Sequence, residues 1–188
     1  MAEWHDIVLL DRKFVVASGT YSSSNTTWSL GITDNTIDTV VLGPGFGSNS
    51  GKIVTVSSSS GTVTATGVNY SADEVCIGRA YTKSIELSQF YVRGRDGVPD
   101  FDSTLTYRRL SVMYHRTGFL RLKATQTNHA DRTKELDVDP INERGFLRLW
   151  VRGDSSKVKL LIENDKPKPS TVSAIEMDVD FVPRDGGG

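Results

Sequence analysis

The side chains that could act as catalysts or metal ligands are few and lie far apart along the sequence. None of the histidines His5, His115 and His129 has another His, a Cys or a pair of carboxylates at metal-ligand spacing. The single cysteine, Cys76, has no catalytic partner nearby in sequence. The sequence also lacks the Gly-x-Ser-x-Gly motif that exposes a nucleophilic serine. We therefore expect no catalytic residues, no metal, no cofactor and no enzymatic activity.

The glycine-rich stretch GPGFGSNSGK does not match a nucleotide-binding loop. A phosphate-binding loop of the Walker type needs a Gly six residues before its Lys, and Phe46 stands six residues before Lys52. Ile53 replaces the hydroxyl residue that would hold magnesium, and a strand rather than a helix is predicted to follow. The spacing therefore excludes this kind of nucleotide site.

Three pairs of aspartates have the spacing of candidate carboxylate sites: Asp100 with Asp102, Asp137 with Asp139, and Asp178 with Asp180. The first two pairs lie in the segments DGVPDFD and DVDP, where Gly or Pro predicts turns that Asp stabilises by local hydrogen bonds. A calcium ion in the first loop remains open as an alternative, as does a glycoside hydrolase that uses two facing carboxylates.

The elements that must position these residues are predicted to be strands. Short apolar runs, rich in β-branched and aromatic residues and bounded by Gly, Ser, Asn or Asp, recur along the whole chain. No helix is predicted. The spacing favours an all-β fold, an antiparallel β-sandwich or barrel. The predicted strands span 7–10, 14–17, 39–42, 52–57, 62–66, 84–93, 105–115, 118–124, 145–151, 157–163 and 171–181.

A change in residue composition along the chain predicts two domains. Residues 18–72 are dominated by Ser, Thr, Gly and Asn, which predicts short polar strands and mobile loops. We expect a small Ser/Thr/Gly-rich β subdomain with long hairpins over 1–74, a main antiparallel β domain over 75–185, and a flexible tail over 186–188. The first ten residues have neither the basic start of a signal peptide nor the length of a membrane span.

Charge is distributed unevenly although the net charge is −1. Residues 1–75 carry 3 Lys or Arg and 7 Asp or Glu, whereas residues 76–188 carry 19 and 16. The excess of positive charge in the second part is too small to predict a groove that grips nucleic acid.

The segment IEMDVDF predicts a strand with two unlike faces. Ile175, Met177, Val179 and Phe181 alternate with acidic residues, so that one face is predicted to be core and the other acidic. Two other strands carry basic stripes, Arg121 with Lys123 and Arg148 with Arg152 on either side of Trp150. Cross-strand charge pairs between such strands are expected, either within one subunit or between subunits.

Several stretches resemble the C-terminal part of the tail nozzle proteins of short-tailed bacteriophages, also called tail tubular protein B. They are CIGRAYTKSIELSQFYVR, LTYRRLSVMYHRTGFLRLKA, VLLDRKF and STVSAIEMDVDFVPR. The resemblance implies a structural protein of the virion tail. It also implies a homo-oligomeric ring of six subunits, neighbouring tail adaptor and tail fibre proteins, and passage of DNA without tight binding. It brings no catalytic residues, and the family's proteins are several times longer than this chain.

Ring assembly requires an interface with apolar burial as well as charge. Our candidate interface combines the region around the loop RGRDGVPDFD with the acidic face of IEMDVDF. Its residues are Phe90, Tyr91, Arg93, Arg95, Phe101, Glu176, Asp178 and Asp180. The alternative function is a carbohydrate- or receptor-binding β module of a tail fibre, for which exposed Trp4, Trp28 or Tyr21 would form a sugar platform.

Overall fold

The computed structural model describes residues 4, 8–93 and 103–183, without the side chains of 139–141. These residues form two compact units. The first draws on Met1–Thr82 and Asp165–Pro169, and the second on Lys83–Asn164 and Ser170–Gly188. The sequence placed a domain boundary between 74 and 75, whereas the units meet along the chain at Thr82, because residues 75–79 pair with strands of the first unit.

Two four-stranded antiparallel sheets make up the first unit. One has the strand order β1-β8-β4-β5 and the other β2-β3-β7-β6, and a short 3-10 helix over Pro44–Asn49 links β4 to β5. The strands are β1 (Asp11–Val16), β2 (Thr20–Ser22), β3 (Asn25–Ser29), β4 (Thr39–Leu42), β5 (Ile53–Thr55), β6 (Ser57–Ser59), β7 (Thr62–Thr66) and β8 (Val75–Arg79).

The core of the first unit lies between these two sheets. Trp28 and Val63 of the second sheet share one buried cluster with Val40 and Ile77 of the first, and all four are at most 1% exposed. Alternation along β7 explains the packing, since Val63 and Ala65 are buried while Thr62 and Thr66 are exposed. The first unit is therefore a small β-sandwich.

The second unit is a single antiparallel sheet built around a 23-residue strand, β10. β11 pairs along one side of β10, whereas β13 and then β12 pair along the other, and β9 pairs with β12. The strands are β9 (Lys83–Leu87), β10 (Thr104–Gln126), β11 (Arg132–Asp154), β12 (Val158–Asn164) and β13 (Val172–Val182).

The pairing of β10 with β11 is irregular near the middle of β10: four residues of β11 separate Asp137 from Asn142, whereas one residue of β10 separates their partners Phe119 and Thr117. The register with β11 shifts between Thr117 and Phe119, next to Arg116, which has a φ of 46°. Such bulges bend and twist a strand. Side chains from both halves of β10, among them Leu110 and Leu122, belong to one buried cluster.

The prediction of an all-β antiparallel fold is confirmed, and the sheets are open in the part of the chain that the structure describes. β4 and β7 have the predicted bounds. Two expected breaks were wrong. The strands predicted over 105–115 and 118–124 form one strand, and the predicted turn at Asp137 and Asp139 lies inside β11. Asp137 pairs with Phe119 of β10, and the register shifts before the next pair, Asn142 with Thr117.

Other strand bounds also differ from the prediction. Residues 8–10 are not a strand, and the strand predicted over 84–93 ends at Leu87. The sequence missed β2, β3 and β6, whose Ser, Thr and Asn residues lack the apolar alternation that marks a strand.

The apolar face of β13 differs most from expectation. Ile175, Val179 and Phe181 are 41%, 39% and 39% exposed, so the prediction that this face is buried core was wrong. Met177, and Val172 at the start of the strand, pack partly against the core cluster. The reason is position, since β13 pairs with β10 alone among the described residues and lies at an edge of the sheet.

Candidate assembly surface

The acidic residues of the candidate interface lie on the outer face of β13. Asp178 lies opposite Arg109 of β10, and Glu176 lies opposite Ser111. Asp180 lies opposite Thr106, two register positions nearer the start of β10. The alternation predicted from IEMDVDF thus places all three carboxylates on one side of the strand, away from the core cluster.

Two of these carboxylates form ion pairs with neighbouring arginines. Arg109 Nη2 lies 2.6 Å from Asp178 Oδ2, and Arg108 Nε lies 2.9 Å from Asp180 Oδ2. Both pairs are partly solvated and each contributes little to folding, about 0–1 kcal/mol. They hold the carboxylates in a defined position on the surface of the sheet.

The cations that pair with β13 are not the ones that the basic stripes suggested. Arg121 Nε lies 2.5 Å from Glu135 Oε1 on β11, and Lys123 Nζ lies 2.9 Å from Asp131 Oδ2. The stripe with Arg148 and Arg152 lies on β11, which β10 separates from β13. Within the chain, therefore, this second basic stripe does not face the acidic strand.

Large aromatic residues stand on the same outer face, along β11. Trp150 and Phe146 are 58% and 55% exposed. The Arg109 guanidinium carbon lies 5.4 Å from the centre of the Trp150 ring, and that of Arg148 lies 5.5 Å from the Phe146 ring. The alternation of FLRLWVR signalled this face, but the candidate interface omitted both rings.

An open groove lies on this face, over β10 and between β11 and β13. Its lining combines one exposed ring with charges of both signs. Among the described residues, no group of three or more His, Cys, Asp or Glu side chains could hold a metal ion. The groove is lined by Thr106, Tyr107, Arg108, Arg109, Trp150, Arg152, Gly153, Asp178 and Asp180.

The other described members of the candidate interface lie in the segment after β9. Phe90 and Tyr91 line a cavity of about 220 Å³ together with Phe181 of β13. The Phe90 ring meets the Tyr107 ring edge to face at 6.0 Å, and the Phe90 N–H donates a hydrogen bond to the Tyr107 hydroxyl at 3.1 Å. Burial raises the pKa of Tyr107.

Arg93 is exposed, and Arg95 and Phe101 lie outside the described residues. The structure thus brings Phe90 and Tyr91 to the end of β13 that carries Phe181. The three acidic residues occupy the outer face of the same strand.

The proposed sugar platform loses one of its members. Trp28 is 1% exposed in the core of the first unit, and Trp4 donates a hydrogen bond from Nε1 to Glu74 at 2.7 Å. Tyr21 remains 43% exposed. No helix among the described residues has the length and apolar character to cross a membrane.

Comparison with known proteins gives one family match. A family model described as bacteriophage nozzle protein matches residues 5–187, nearly the whole chain. The chain has no match among curated proteins. The family is one of structural components of the phage tail, and the extent of the match shows that the chain belongs to the bacteriophage nozzle protein family.

Proposed function

We propose that this tail protein works as a subunit of a ring of six copies at the end of the tail, through which DNA passes during ejection. The observation that carries the proposal is the family match over residues 5–187. The proposed ring contacts the tail adaptor protein and the tail fibres, and the subunit performs no chemistry.

The surface of the second unit supports assembly. Ile175, Val179 and Phe181 expose an apolar row at a sheet edge, and Phe146 and Trp150 expose two large rings at another. Apolar side chains exposed together mark contact surfaces, whereas single ones are common on any protein. We place the subunit interface at these residues together with Phe90, Tyr91, Arg93, Glu176, Asp178 and Asp180, and with the adjoining Arg95 and Phe101.

Weak interaction with DNA is part of the proposal. The net charge of −1 supplies no excess of cations to neutralise phosphates. Arg108 and Arg109, which line the groove, are already paired with aspartates. A lumen built from such subunits would let DNA slide without holding it.

Cryo-microscopy of the purified protein, alone and mixed with its tail partners, tests the proposal. The expected particle is a closed ring with six-fold symmetry. A protein that stays monomeric at high concentration with all tail partners present would overturn the ring, and turnover of a polysaccharide abolished by one carboxylate substitution would overturn the purely structural role.

A further inference from the structure

We infer that copies of this chain join head to tail through two sheet edges, the outer edge of β11 in one copy and the outer edge of β13 in the next. The inference rests on the proposed ring and names the surfaces that close it. It is supported by the unpaired edges of β11 and β13, the charges on their outer faces, the apolar residues on their inner faces and their common direction.

Both strands offer an unpaired edge. Among the residues that the structure describes, β11 pairs with β10 alone, and so does β13. An edge strand presents a row of backbone N–H and C=O groups that can pair with another chain. β13 and the part of β11 over 144–154 lie on opposite sides of the same stretch of β10, so the two edges face away from each other.

The outer faces of the two edges have complementary charge. Arg144 and Arg148 of β11 lie opposite residues of β10 on the same face as Trp150, and Arg152 lines the groove beside that ring. The matching face of β13 carries Glu176, Asp178 and Asp180. Asp178 and Asp180 already contact Arg109 and Arg108, but a carboxylate has acceptor positions for a second guanidinium.

The inner faces are apolar on both edges. Leu147, Leu149 and Val151 of β11 belong to the buried core cluster. Ile175, Val179 and Phe181 of β13 lie on the same side of the sheet, opposite buried residues of β10, yet remain 39–41% exposed. A neighbouring strand that continued the sheet would cover this row, and the apolar burial would supply the favourable free energy that exposed ion pairs lack.

The direction of the strands allows both faces to match at once. β11 and β13 each run antiparallel to β10 and therefore run in the same direction. When the sheet of one copy continues into the next in the same sense, the two edges form a parallel pair. Even-numbered residues of both strands then share the charged face, and odd-numbered residues share the apolar face.

A contact between two different edges is heterologous, and repetition of such a contact yields a closed ring or an open filament. A second copy fits these edges better than nucleic acid does. Phosphates could pair with the arginine row of β11, Arg144, Arg148 and Arg152, but they would leave the apolar row of β13, Ile175, Val179 and Phe181, exposed. The expected partner is therefore a second copy of this chain.

Charge reversal in the 188-residue chain tests the inference. Arg148→Glu and Glu176→Arg should each weaken association at least about tenfold, since like charges would then oppose each other across every contact. The double variant should recover most of the loss, because each contact again holds one charge of each sign. Lys159→Glu is the control, since Lys159 is an exposed residue of β12, away from both edges. Sedimentation velocity measures the assembled fraction, and circular dichroism checks that each variant folds.

The possible outcomes separate this inference from the proposed ring. If the unmodified protein assembles and neither reversal changes it, the edge contact is wrong and the ring stands. If the single variants weaken assembly and the double variant does not recover, the two residues do not face each other and the contact is overturned. An effect of Arg148→Glu on DNA binding alone would assign the arginine row to nucleic acid. A protein that never assembles with its tail partners overturns ring and contact together.

Discussion

At the scale of single residues, Cys76 shows how burial controls reactivity. Its side chain is fully buried in β8 beside Val8 and Val41, and burial raises its pKa to about 11 from an ordinary value of 9.0. The thiolate is the reactive form of cysteine. A buried thiol that stays protonated at neutral pH is expected to react slowly.

Cys76 should therefore react with a thiol reagent at least about 100-fold more slowly in the native protein than in the unfolded chain, because a two-unit rise in pKa lowers the thiolate fraction that much. A disulfide reagent followed by absorbance at about pH 8, with and without urea, measures the two rates. The raised pKa also adds stability below about pH 9, and this contribution is lost as the pH rises towards 11. Equal rates in the two states would show that the thiol is accessible.

Asp34 is the described carboxylate whose pKa falls furthest. Hydrogen bonds from the Thr36 hydroxyl and backbone N–H, at 2.7 and 2.9 Å, and the contact with Arg12 lower its pKa to about 2 from 3.8. A group whose folded pKa is depressed stabilises the fold above its unfolded pKa, and the stabilisation is lost as the pH falls through the folded value.

The free energy of unfolding of the unmodified protein should fall between about pH 4 and pH 2 as Asp34 becomes protonated. In Asp34→Asn, which has no carboxyl group at this position, we expect that contribution to the fall to be absent. Thr36→Ala, which removes only the hydroxyl donor, should have an intermediate effect. Urea unfolding midpoints at a series of pH values measure the difference. Identical acid profiles for all three proteins would mean that the Asp34 contacts do not hold its charge.

At the scale of elements, the exposed apolar row of β13 predicts a difference between two identical substitutions. Val179 is 39% exposed, whereas Val112, in the core cluster, is fully buried. Val112→Asp should destabilise the subunit by several kcal/mol, about 3–5, because it buries an unpaired charge. Val179→Asp should cost the isolated subunit less than about 1 kcal/mol.

Denaturation below the concentration at which the protein associates measures the two free energies of unfolding. Asp178→Asn serves as a control on the same strand, since it changes the charge of the opposite face and keeps the shape of the side chain. Equal losses for the two valine variants would show that β13 is covered within the subunit.

The same strands show what sequence patterns can and cannot predict. Alternation of residue types correctly placed Glu176, Asp178 and Asp180 on one face, because the period of two is a property of the strand itself. Whether the opposite face is buried depends on the neighbours of the strand, and no pattern within IEMDVDF carries that information. The bulge beside Arg116 likewise arises from pairing with β11, so the local sequence predicted a break there.

At the scale of the whole molecule, the spacing of short apolar runs and turn residues predicted an all-β protein, and the resemblance to nozzle proteins identified the family. The pairing of distant strands could not be predicted in the same way. Arg108 and Arg109 became the partners of β13 because β10 lies between β11 and β13. The sequence had suggested the basic residues of FLRLWVR as partners of the acidic strand. They lie on β11, which β10 separates from β13.

The return of residues 165–169 to the first unit has a consequence for synthesis on the ribosome. The backbone N–H of Leu9 donates a hydrogen bond to the Pro167 carbonyl at 3.1 Å, so a segment that is made only after Lys83–Asn164 completes a unit whose other residues precede Lys83. Domains generally fold as their residues emerge, the N-terminal one first. Here the β10–β11 hairpin, whose pairing can begin between the neighbouring residues Ala124 and Arg132, can form before residues 165–169 complete the first unit. A nascent chain therefore keeps part of the first unit open until residues 165–169 have been made.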